Sequence, residues 1–433
     1  MNLLRLSWRN LMDRPLRALL SILLFALSIG LISLLLNLRT QADEQFDNNL
    51  AGVDLVVGAK GSPLELVLNS MYHVGYANGN ISLQEAKPFF SDRNPVVAEA
   101  IPLSLGDSYR GYRIVGTIPK LLDWYGAGLG SGKLWQADFE AVLGAEVAAV
   151  HNLSVGDRFR SSHGIIDEGA DNIEHEDDFV VTGILAESGT VMDQVILTTN
   201  QTYWHTHESH TSAGTDGEEH AEHDHDHDHD HGAATDPAAD PLARLLAADP
   251  ERELTSLLVR YRNASSFQAL NFPRNINENT GLLAANPAYE ISEVRRQFDT
   301  GQRILGILVL AITIVSSLSI FIALYSSLRE RRYELALLRS FGAGRNRLFL
   351  LIILEALLVA TIGYLLGIAL SHGILSLVAT NVSDDFRYSL DAWRFLPAEG
   401  WLFVVGWGIA LVAAVVPAES AARTDIADTL MEG

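Results

Sequence analysis

Residues 220–232 read HAEHDHDHDHDHG, with five histidines alternating with four aspartates between His223 and His231. Nine of the 14 histidines lie in one region: His205, His207, His210, His220, His223, His225, His227, His229 and His231. Neutral imidazole is a good ligand for zinc, copper and nickel, and nearby carboxylates raise the local cation concentration. In an extended chain alternate residues share a face, so histidines and aspartates would line opposite edges. Such a repeat offers many exchangeable binding modes and no single rigid site. That suits holding or sensing a metal, zinc foremost, and does not suit catalysis. The run is internal and aspartate-spaced, unlike a purification tag. A merely solvated low-complexity loop is the plainer alternative.

A second stretch, LRERRYELALLRSFGAGRNRLF (328–349), carries a different chemistry. Glu334, Leu335, Leu337, Leu338 and Phe341 would present acidic and apolar faces on a short helix that Gly342 and Gly344 bring to an end. This is more apolar surface than a loop with only a positive charge to carry requires, and it predicts a helix docking on a cytosolic partner. Gly363, Gly367 and Ser371 recur every four residues, a small-residue ridge that permits close helix approach within one chain or between two copies. Glu355 and His372 are ionisable groups in or near the same apolar stretch, which flags function unless they reach the interface. VVGAKGSP (56–63) lacks the Gly-x4-Gly-Lys-Ser/Thr spacing of a phosphate loop. No nucleophile–base–acid constellation stands out, so no enzymatic activity is expected of the chain itself.

These residues need elements to position them. Four stretches without Asp, Glu, Lys or Arg, at 18–38, 304–328, 356–383 and 401–418, are each about long enough to cross a bilayer core, which takes roughly 20 residues. The first is too long for a signal-peptide core and is expected to stay as an anchor. Arg5, Arg9, Arg14 and Arg17 precede it, and Arg329, Arg331, Arg332, Arg339, Arg345 and Arg347 lie between the second and third. Positive residues favour the cytoplasmic side, so both termini are expected there and residues 40–300 outside it. The net charge of −22 argues against a nucleic-acid partner, and the absence of cysteine removes disulfides and thiolate metal sites.

The expected fold class is a membrane protein with four transmembrane α-helices and a large extracytoplasmic α/β (α+β) domain inserted between helices 1 and 2. Its segments are a cytoplasmic amphipathic start (1–17), spans at 18–39, 301–328, 348–380 and 401–418, and the external domain (40–300). A cytoplasmic loop (329–347), an external loop (381–400) and a cytoplasmic tail (419–433) complete it. Within the domain, strands are expected at 53–57, 112–116, 179–185, 191–198 and 257–261, and helices at 63–71, 146–153 and 265–272. Residues 205–249 hold 12 acidic side chains against one arginine and little apolar surface. They are expected to form a disordered insertion, with order resuming near Leu254.

The order of one span, a large domain and three more spans resembles the MacB/FtsX family of ABC-transporter permeases. LSWRNLMDRPLRALLSILLFALSIG (6–30) is similar to the family's amphipathic start and first span. AVLGAEVAAVHNLSVGDRF (141–159) with FVVTGIL (179–185) resembles its helix–turn–strand unit. RERRYELALLRSFGAGRNRLFLLIILEALLVATIGYLLG (329–367) resembles its most recognisable stretch. VPAESAARTDIADTL (416–430) resembles its closing motif, with Ile426 where proline is usual. The resemblance implies a permease subunit in the bacterial inner membrane. Glu334, Leu337, Leu338, Phe341 and Gly342 would form its coupling helix, touching a separate cytosolic ATPase through which alone ATP acts. It also implies a second permease copy, and motion transmitted to the external domain in place of a channel. A periplasmic solute-binding or adaptor protein is a further expected partner. No tightly bound cofactor is expected beyond Zn2+ on the histidine run. With that run, the function expected first is zinc or other metal uptake or homeostasis. The alternatives are lipoprotein, peptide or amphiphile extraction, and control of an external cell-wall hydrolase.

Overall fold

The computed structural model describes residues 3–13, 15–163, 174–211, 240–341, 343–386 and 391–423. It divides into two compact units, Met1–Asp43 with Arg296–Gly433, and Glu44–Arg295.

The first unit is helical. α1 (Leu3–Met12) is short, and α2 (Pro15–Asn49), α10 (Pro287–Glu330), α12 (Arg345–Phe386) and α13 (Pro397–Ala422) are long, with α11 (Arg332–Ser340) between α10 and α12. α2, α10, α12 and α13 are each long and apolar enough to cross a membrane. Phe25 and Ile29 of α2, Ile320 and Leu324 of α10, Ala356 and Ala360 of α12, and Ala410 and Ala414 of α13 share one buried cluster. α2 and α10 continue past their apolar stretches into the sequence of the second unit.

The second unit carries the strands β1 (Leu55–Ala59), β2 (Ile81–Ser82), β3 (Val97–Tyr109), β4 (Tyr112–Gly116), β5 (Leu129–Gly132) and β6 (Glu140–Leu143). β7 (Arg158–His163), β8 (Glu174–Leu185), β9 (Val195–Thr198), β10 (Glu253–Leu254), β11 (Ser256–Tyr261) and β12 (Leu282–Ala285) follow. Its helices are α3 (Pro63–Met71), α4 (Leu83–Ala86), α5 (Lys120–Tyr125), α6 (Ala145–His151), α7 (Asn200–Thr211), α8 (Pro241–Ala247) and α9 (Phe267–Asn279). One mixed sheet runs β12-β1-β11-β3-β4-β9-β6-β8-β5, with β7 bridging β3 and β8, and β2 pairs β10 separately. Continuous apolar runs such as that in β1 belong to a sheet covered on both faces. Leu55 and Val57 enter one core with Leu257, Val259 and Ala284, whereas Val56, Leu258 and Leu283 enter another.

Local signals explain most element boundaries. Ser62 caps α3, with Pro63 as its first residue, and Ser82 with Glu85 forms a capping box on α4. At the SVGD turn Gly156 has φ +101° and the Ser154 amide donates to Asp157 Oδ2 at 2.8 Å, as the residue types predict.

Other expectations change. The strand expected at 191–198 is confined to β9, because Val191–Gln194 forms a 3-10 turn capped by the Thr190 hydroxyl. α9 continues past the expected end at Phe272 and through Pro273. Ile276 is buried beyond the proline, and Asn277 exchanges two hydrogen bonds with the Ala284 backbone at 2.6 and 3.0 Å. Of the insertion expected to be disordered over 205–249, residues 212–239 lie outside the described residues. Residues 205–211 are helical within α7, and α8 lies well before Leu254. Trp204 donates to the Glu253 carbonyl at 2.7 Å and Leu245 is buried in the same core, so both ends are held by packing that composition does not display.

Candidate functional site

α11 has one face turned inward and one outward. Leu335 and Ala336 are buried, Leu335 within the bundle's apolar cluster, while Tyr333 and Glu334 are exposed and Leu337 is half-buried. Phe341, just past the helix, is 85% exposed. The Leu338 side chain and Gly342 lie outside the described residues. The start of α11 is tied to its neighbours by charge. Arg331 donates to the Asn10 carbonyl at 2.9 Å and to Asp13 at 3.2 Å, and its guanidinium is 4.0 Å from the Glu355 carboxylate. Asn10 donates to the same Glu355 oxygen at 2.6 Å, and Arg17 pairs with Glu330 at 3.0 Å. A helix held at its base while presenting Tyr333, Glu334 and Phe341 outward can receive a push from a bound partner and pass it to α1 and α12.

The glycine ridge of α12 meets α2 of the same chain. A Cβ on Gly367 would lie 2.7 Å from the Ala26 carbonyl oxygen, and one on Gly30 2.9 Å from that of Gly367. One on Gly363 would lie 2.8 Å from the Phe25 ring. Ser371 begins a buried polar cluster. Glu399 Oε1 accepts from Ser33 at 2.6 Å and Asn37 at 2.8 Å, with His372 Nε2 3.3 Å away. Ser33 and Ser371 are linked at 3.0 Å, and His372 Nδ1 donates to the Ala392 carbonyl at 2.7 Å. Sequence reading flagged Glu355 and His372 but assigned Glu399 to the external loop. It sits in the first turn of α13, where its second oxygen accepts from the Leu396 amide at 3.1 Å. The spacing Leu396-Pro397-x-Glu399, an acid at the third position of a proline-led helix, was the signal.

Of the nine histidines, the described residues include the side chains of two. His205 stacks on Phe139 and lies 3.4 Å from Asp138, and His207 lies 3.8 Å from Asp107. His210 falls within α7, with its side chain outside the described set, and His220, His223, His225, His227, His229 and His231 lie outside it altogether. Among the described residues, no three His, Cys, Asp or Glu side chains are placed to hold one metal ion.

Residues 306–426, which contain α11, α12, α13 and most of α10, match the FtsX-like permease C-terminal family. Over that stretch the chain is similar to FtsX-like permeases. The chain is 28% identical over 141 residues to the macrolide export ATP-binding/permease protein MacB of Escherichia coli, covering 32% of the chain and 21% of that protein. It is 30% identical over 162 residues to an uncharacterized ABC transporter permease protein of Mycobacterium tuberculosis, covering 34% and 19%. The chain thus spans about a fifth of the length of the curated relatives it matches. Its similarity to the periplasmic region of MacB from Actinobacillus actinomycetemcomitans has a TM-score of 0.32 at 10% identity, covering 57% of the chain and 96% of that structure. For the extracellular domain of the transporter YknZ from Gram-positive bacteria the values are 0.27, 12%, 54% and 99%.

Proposed function

We propose that the chain is the transmembrane subunit of an ABC system in the bacterial inner membrane, with both termini cytoplasmic and the inserted domain periplasmic. A separate cytosolic ATPase binds α11, and its nucleotide cycle moves the inserted domain through α2 and α10. A second permease copy, identical or paralogous, completes the membrane part. The observation that carries this reading is the outward face of α11, with Phe341 exposed, on a helix whose base is tied to α1 and α12. Replacing Glu334 with Arg and Phe341 with Asp together should abolish co-purification of the ATPase while membrane insertion and yield stay unchanged. ATPase recovery at wild-type levels would remove α11 from the interface.

The cargo chemistry rests on the histidines. A run of imidazoles and carboxylates on the periplasmic domain holds zinc or a similar divalent ion where the system meets it, which makes zinc uptake or homeostasis the favoured role. Cells whose permease has serine at the six histidines from His220 to His231 should grow less well under zinc limitation or zinc excess. Equal growth in both conditions would leave the metal role without support. The similarity to a macrolide export protein favours a second reading, extraction or export of an amphiphile. Cross-linking the full chain in cells separates them: a solute-binding protein fits zinc uptake, an outer-membrane or adaptor protein fits export.

A further inference from the structure

α1 is turned the opposite way from a helix on the surface of a soluble protein, which buries its apolar stripe and leaves its polar residues in water. Here the polar residues meet the bundle. Ser7 is buried with its hydroxyl 3.4 Å from the Leu351 carbonyl oxygen, and Asn10 donates to Glu355 at 2.6 Å. Outward, Leu4, Trp8 and Met12 recur every four residues, which 3.6 residues per turn sets along one stripe. They are 55, 48 and 52% exposed. Arg5 and Arg9 follow the same spacing one position on, and both are exposed. The outer surface of α1 is therefore an apolar band edged by two guanidinium groups, about 6 Å apart along the helix axis.

The acids at this end of the bundle are engaged with other groups. Asp13 pairs with Arg331 at 3.2 Å, Glu330 with Arg17 at 3.0 Å, and Glu355 takes Asn10. Among the described residues, no ion pair reaches Arg5 or Arg9. Their charge calls for an anion from outside the chain, and the band beside them calls for an apolar phase. The boundary of a bilayer supplies both: tryptophan rings sit at headgroup level there, and guanidinium forks match phosphate oxygens in pairs. It is also within reach, because α2, apolar enough to cross a membrane, begins at Pro15, three residues past the end of α1. We infer that α1 is a binding site for an anionic phospholipid, with Arg5 and Arg9 on its phosphate and Leu4, Trp8 and Met12 among its acyl chains. Asn10 of the same helix holds Glu355 and accepts from Arg331 at 2.9 Å, so a lipid bound there grips the helix to which the base of α11 is tied.

The test needs neither an ATPase nor a metal, so it is independent of the roles proposed above. Full-length protein in detergent is titrated with phosphatidylglycerol and with phosphatidylcholine of the same acyl chains, and native mass spectrometry counts the lipid retained by each chain. Phosphatidylglycerol should be retained at concentrations where phosphatidylcholine is not, and R5Q with R9Q should weaken its binding about tenfold. R5K with R9K keeps both charges and should retain most of the binding. Equal retention of the two lipids, or retention indifferent to R5Q with R9Q, overturns the site. So does a loss in the lysine protein as large as that in the glutamine protein, since the defect would then not be one of charge. The apolar band has its own readout. In vesicles of the two lipids in equal parts, the emission that Trp8 contributes, wild type minus W8F, should be quenched by brominated acyl chains. Emission that the bromines leave untouched would put Trp8 outside the bilayer and overturn the site as well.

Discussion

His73 is buried, in left-handed backbone at φ +56°, beside a buried arginine. Arg113 donates to the His73 carbonyl at 3.3 Å and also to the Gly75 carbonyl. Burial, and then the Arg113 charge, push the imidazole pKa down to about 3. The folded value lies below the unfolded one, so between pH 6.5 and 3 the unfolded chain binds a proton that the folded chain does not. The associated stability is whole above pH 6.5 and falls with pH at up to about 1.4 kcal/mol per unit. Denaturation midpoints should therefore drop between pH 7 and 5. H73N, whose side chain tolerates left-handed backbone, should flatten that dependence. Equal slopes for the two proteins would show that His73 is not the titrating group. A histidine in SMYHV gives no sign of this environment, because the elements that bury it are distant in sequence.

Among the elements, α2 and α12 approach each other closely at Gly30, Gly363 and Gly367. Gly367 touches backbone, which cannot step aside, so G367V should cost about 1–3 kcal/mol through overpacking. G373A on the same helix points into open space and should be neutral. Thermal denaturation of the detergent-solubilised chain compares them, and equal melting temperatures would rule out the tight contact. The spacing of Gly363, Gly367 and Ser371 showed that something packs closely there. It could not name the partner, because a small-residue ridge fits a helix of the same chain or of another equally well. The polar cluster gives a companion test. E399A leaves Ser33 and Asn37 buried without their acceptor and should cost about 3 kcal/mol. E399Q retains an acceptor oxygen and should recover part of that. A melting temperature for E399A equal to that of wild type would deny the cluster a structural role.

At the scale of the whole molecule, packed anchors flank the histidine-rich segment in sequence. Trp204 holds one end and Leu245 the other, with Arg244 donating to the Gln136 carbonyl at 3.0 Å. Exchanging residues 212–239 for an equally long Gly/Ser segment should leave the melting temperature within about 2 °C, since a surface change away from such features stays within about 0.5 kcal/mol. A large loss would mean that the segment packs on the domain. Composition alone drew the insertion too wide, because acidic residues flank both anchors and hide the few apolar side chains that dock.

The sequence by itself determined the four apolar spans, the large domain between the first and second, and the likeness of the C-terminal part to FtsX-like permeases, because charge-free length and short motifs are local properties. It also marked α3, β4 and the SVGD turn, where caps, β-branched runs and a glycine act within a few residues. Only the tertiary structure decided that the ridge of α12 meets α2, that Glu399 is a buried acceptor, and that Asp107 faces a histidine of α7. Each joins residues from 27 to 366 positions apart. Their contacts follow from how helices and strands pack, which no pattern along the chain records.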